Sequence, residues 1–173
     1  MRLVTFTSAN GLQTEPRLGA LASDSRTVID LQQGFSVMSG QRSAYLANML
    51  KLLDGGEQAM DEARHVVEFV ESQTPPACLY SLNHITLLAP LTQPRSIRDC
   101  MVFEKRLIQA RRTVIKWRFA PLAIVDTWLE KLRGRPLLGI PAVWYERPLY
   151  YKGNPFSVVG PEANVYWPHY TEK

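Results

Sequence analysis

Asp99, Arg106 and the run Tyr150-Tyr151-Lys152-Gly153-Asn154 carry the side chains of this chain best placed to do chemistry. Asp99 follows Ser96 with Ser-x-x-Asp spacing, close to a capping box. The local reading therefore makes it an N3 carboxylate that satisfies free amides at a helix start. Arg106 stays protonated and cannot serve as a base. It can hold a carboxylate through two parallel N–H bonds, or simply face solvent from a helix. Tyr151 reads locally as strand packing. If 149–151 is extended, Leu149 and Tyr151 face one side and Tyr150 the other, so aromatics cover both faces. His65 falls on the wet face of a helix, and no convincing set of partner ligands accompanies it.

The elements that must position these residues fall into two stretches. Arg2–Thr7, Arg17–Leu21 and Thr27–Leu31 read as short strands of an antiparallel meander, with Asn10-Gly11 as a turn. Two helices follow. Ser43 can cap the first, which carries Leu46, Met49, Leu50 and Leu53 on one face and stops at Gly55-Gly56. The second runs from about Glu57 to Glu71, with Ala59, Ala63, Val66, Val67 and Val70 as its apolar stripe. Pro75-Pro76 breaks the chain, and Ile85–Ala89 reads as a buried strand ending at Pro90.

Leu91–Arg95 is the best linker candidate, which predicts domains at 1–91 and 92–173. The second part is expected to open with a helix in which Phe103, Leu107, Ala110 and Val114 share a face. Arg118–Pro121 should interrupt it. A shorter helix then turns Leu122, Val125, Leu129 and Leu132 inward and stops at Gly134. Residues 136–170 hold six prolines, which preclude long regular elements there. That stretch also holds seven Tyr or Trp, which suits loops around a small-molecule cleft.

In order, several segments resemble the fumarylacetoacetate hydrolase family. They are the opening Met1–Phe6, Leu87–Leu91, Ser96–Glu104, Trp144–Pro148 with Tyr151–Asn154, Ser157–Pro161 and Tyr170–Lys173. The resemblance implies an α+β fold: a small strand-and-helix domain, then the start of a mixed β-sheet domain. It also implies a metal-dependent hydrolase or lyase for acylpyruvate-like 2-oxo acids, using Mg²⁺, Mn²⁺ or Ca²⁺. Asp99 would be a metal ligand, and Tyr151, with Lys152 and Asn154 in the same turn, would touch substrate. Arg106 stands where the family has its acid/base histidine, and neither His84 nor His169 matches that position. Lys173 falls about where the family's Glu-x-Glu ligands would begin. Glu104, Glu146, Glu162 and Glu172 lack the family spacing. The expectation is therefore a family-like chain that is inactive by itself, with a non-catalytic assembly or binding role as the alternative.

Composition limits the other classes. Net charge is +4, and much of the excess lies in Lys105, Arg106, Arg111, Arg112, Lys116 and Arg118. Apolar residues at helical spacing interrupt this cluster, which favours a solvated helix face or a carboxylate site over nucleic acid. No segment has the roughly 18 uninterrupted apolar residues of a membrane span. Cys78 and Cys100 form no Cys-x-x-Cys pattern, so a reduced, cytoplasmic protein is expected. The aromatic C-terminal third predicts a homo-oligomer.

Overall fold

Strand alternation in the first residues builds a sheet with two apolar faces. The computed structural model describes residues 1–8, 15–118, 120–134 and 140–170, without the side chains of 120, 122, 123, 126 and 127. The expected Asn10-Gly11 turn, the inward Leu122 and the last residues of the Tyr170–Lys173 motif lie outside that description. The fold is α+β, and it divides into two units: Met1–Arg95 with Pro155–Lys173, and Ser96–Asn154.

In the first unit, β1 (Arg2–Ser8), β2 (Arg17–Leu21) and β3 (Thr27–Asp30) form the antiparallel meander. β4 (Leu79–Ser81) pairs with β3 and β5 (Ile85–Leu88) pairs with β1, giving the order β4-β3-β2-β1-β5. Successive residues face opposite sides. Leu18, Ala20 and Ile29 join the helix-covered core, while Phe6, Val28 and Ile85 form a smaller cluster.

The helical side differs from the sequence expectation at its start. The run read as a strand through Leu31 stops at Asp30, and α1 (Leu31–Ser39) begins there. The Asp30 carboxylate accepts from the Gln33 amide at 2.7 Å, and Gly40 closes the helix at φ 72°. Ser43 accepts from the amides of Tyr45 and Leu46, but it caps a turn. α2 (Met49–Gln73) starts later, capped by Asn48. At Gly56 the backbone leaves helical geometry (φ 58°, ψ −139°), so the expected break at Gly55-Gly56 falls inside α2. Beyond it Ala59, Ala63, Val66 and Val70 are buried, as the stripe requires. Gly34 of α1 faces Val66 and Val70; an added Cβ would stand 2.7 Å from Val66 Cγ1.

One polar network lies inside this unit. Asp30 is fully buried and pairs with Arg17 at 2.5 Å. Arg17 also donates to the Tyr80 hydroxyl at 2.9 Å, and that hydroxyl donates to Gln33. Burial raises the Asp30 carboxyl above its ordinary value, outweighing the Gln33 amide and the Arg17 charge. Elsewhere, Arg95 grips Asp54 of α2 with two hydrogen bonds, at 2.9 and 2.6 Å.

The second unit holds β6 (Ile97–Cys100), α3 (Glu104–Arg118), α4 (Ala120–Arg133), α5 (Val143–Glu146) and β7 (Tyr150–Gly153). Its opening corrects the sequence expectation. Residues 97–100 are a strand, paired antiparallel with β7, and the helix begins only at Glu104. The capping spacing lost to cross-strand pairing. Met101 extends the ladder by donating to the Leu149 carbonyl at 2.9 Å. Gly153 permits the close approach, since an added Cβ would lie 2.9 Å from Ile97 Cγ2.

Arg112 pairs with Glu130, tying α3 to α4. Val125 and Leu132, expected inward, are exposed instead. α4 turns Ile124, Trp128 and Leu132 outward, which are the positions a 3.6-residue period places on one face. Among the described residues no helix is long and apolar enough to cross a membrane.

Candidate functional site

Antiparallel register places Asp99 and Tyr151 directly opposite each other on β6 and β7. Opposed residues in such a pair project from the same face of the ladder. The Tyr151 hydroxyl donates to Asp99 Oδ2. This bond, and then the carboxylate charge, raise the Tyr151 pKa above its ordinary value, because losing the phenolic proton would set two negative charges together. The positive charge of Arg106 acts in the opposite direction on the same phenol and is the smaller effect.

These three side chains line one open cleft of about 210 Å³. Two segments supply most of its wall. After β6 the chain turns through Met101, Val102 and Phe103. The first turns of α3 then add Arg106, Leu107 and Ala110. The Phe103–Leu107–Ala110 part of the stripe expected from helical spacing therefore faces the cleft.

Two aromatics of α5 bond to the turn after β6 and to the first residue of α3. Trp144 donates its indole N–H to the Met101 carbonyl at 2.6 Å, and Tyr145 donates to Glu104 Oε1 at 2.7 Å. Their rings meet edge to face with centroids 4.8 Å apart. Glu104 raises the Tyr145 pKa for the same reason that Asp99 raises that of Tyr151.

Not every residue singled out from sequence reaches the cleft. Lys152 alternates to the other side of β7, where it stands opposite Arg98 in the register. Arg98 lies over the Tyr150 ring, 5.0 Å from its centroid. Neither Lys152 nor Asn154 lines the cleft. Met101, Val102 and Leu107 do line it and were not singled out from sequence as functional, because an apolar wall looks like any other helix-start packing.

A divalent cation of the kind the resemblance implies needs six or more oxygens, usually with several carboxylates among them. Asp99 is the carboxylate of the cleft, and one of its oxygens already accepts the Tyr151 phenol. Among the described residues no group of three or more His, Cys, Asp or Glu is gathered to hold a metal. The described residues therefore do not by themselves fit such an ion. Compared with models of known protein families the chain matches none, and it matches no curated protein.

Proposed function

We propose that the chain is a relative of the fumarylacetoacetate hydrolase family whose Ser96–Asn154 unit receives a small 2-oxo acid but does not cleave it alone. The observation that carries this reading is the convergence of Asp99, Arg106 and Tyr151 on one cleft. Those three positions are the ones at which the resemblance would put a metal ligand, a proton shuttle and a substrate contact. Arg106 cannot take up a proton at neutral pH, so the second of these roles is unfilled. Cleavage would need further carboxylates from outside the described residues. A metal titration tests the proposal. Mg²⁺ or Mn²⁺ should bind no more tightly than to a generic surface carboxylate. Saturable, stoichiometric binding abolished by Asp99→Ala would overturn it.

A second reading, a non-catalytic role in assembly, draws on a different observation. Trp117, Ile124, Trp128 and Leu132 are all more than 60% exposed on α3 and α4. An apolar surface of that kind suits contact with another protein, including a second copy of this chain.

A further inference from the structure

The cleft combines one cation, one anion that already has a partner, and an apolar wall. One oxygen of Asp99 accepts from the Tyr151 phenol. Among the described residues Arg106 is in no ion pair, whereas Arg17, Arg64, Arg95 and Arg112 each have an acidic partner. Cys100, Met101, Val102, Phe103, Leu107 and Ala110 also line the cleft and offer no polar side-chain atom other than a thiol and a thioether sulfur. A guanidinium in an open, largely apolar cleft matches a ligand with a carboxylate at one end and a hydrocarbon tail at the other. Size narrows the class. A dry cavity of about 150 Å³ takes a benzene ring, so a cleft of this volume suits roughly eight non-hydrogen atoms.

We propose that Arg106 anchors the carboxylate of a short-chain aliphatic acid, with its tail along the Met101–Phe103 turn and Leu107, and that this binding needs no metal. The inference rests on the reading above only in taking the same cleft as the ligand site. It gives the residue at the shuttle position a different task, that of holding an anion in place of moving a proton. It also predicts the effect of Asp99. A carboxylate in the same cleft repels an anionic ligand, so its charge opposes binding.

The probe is hexanoate, titrated calorimetrically into the full chain with a chelator present. Saturable binding should appear, and hexanamide, with the same tail and no charge, should bind at least about tenfold more weakly. Arg106→Gln should weaken hexanoate by a similar factor with an unchanged circular dichroism spectrum, Arg106→Lys should fall between, and Asp99→Asn should tighten binding. Equal binding of hexanoate and hexanamide, no hexanoate binding, or full affinity in Arg106→Gln would each overturn the inference. The amide comparison uses the wild-type chain, so it decides even if a variant misfolds. If hexanoate binds as described and 2-oxo acids fail to displace it, the anchor stands and the 2-oxo acid reading falls. If hexanoate fails to bind while 2-oxo acids bind without metal and are indifferent to Arg106→Gln, the anchor falls and that reading remains.

Discussion

Tyr151 donates its phenolic proton to Asp99 across the β6–β7 pair. A cross-strand register therefore brings together two residues 52 positions apart in the sequence. Because the bond favours the protonated phenol, the tyrosine titrates above its ordinary value in the folded chain. A group whose folded pKa is raised adds stability that is fully present below its unfolded pKa, near 10 for tyrosine. That contribution is lost as pH rises through the folded value. Ultraviolet titration of the tyrosinates should show late transitions from Tyr151 and from Tyr145, and Asp99→Asn should move one of them toward the ordinary value. No change in any late transition in that variant would show that Asp99 does not hold the Tyr151 proton.

Arg17 compensates a carboxylate with no exposed surface. Arg17→Met should leave Asp30 buried and unpaired, costing about 3 kcal/mol in denaturant unfolding. A loss below about 1 kcal/mol would mean that Gln33 and the helix start suffice to hold the charge.

Asp30 itself should impose a pH dependence of definite sign. Its folded pKa is raised, so the folded chain holds the proton more tightly than the unfolded chain. Its contribution is therefore greatest below the unfolded value, near 3.9, and is lost as pH rises through the folded value. Asp30→Asn should consequently gain stability relative to wild type as pH is raised from about 3 to about 6. Chemical denaturation across that range measures the difference, and a gap that moves the other way would show pairing with Arg17 outweighing burial.

Gly56 breaks α2 in a backbone region that only glycine enters readily (φ 58°, ψ −139°). Gly56→Ala should cost about 1–3 kcal/mol although no atom lies near its added methyl group. Thermal unfolding would register this, and an unchanged midpoint would show the helix able to run straight through.

The strand meander, the Gly55-Gly56 break and the Ala59–Val70 stripe were legible because each is written in local periodicity or in a residue with special backbone freedom. α1 was equally written, in Asp30 and Gln33 at capping-box spacing, but the apolar run through Leu31 masked its start. The Ser96–Asp99 spacing misled for the opposite reason. A local capping pattern gave way to pairing with a strand more than 50 residues downstream, which no local rule can weigh. In α4 the period correctly put Val125 and Leu132 on an apolar face, yet periodicity says nothing about which side a neighbour covers, and they stand exposed. Asp99, Arg106 and Tyr151 were each singled out from sequence. Their convergence, and the absence of Lys152 from the cleft, depend on the β6–β7 register.

The most direct test of the proposed function is turnover. The chain is incubated with acetylpyruvate and Mg²⁺, and acetate and pyruvate are quantified over time, for wild type and for Arg106→His. Neither protein should release product above the uncatalysed rate, because restoring a titratable group at position 106 leaves the carboxylates of a metal cage unsupplied. Repeated turnovers by the wild-type chain, abolished by Asp99→Ala, would contradict the account.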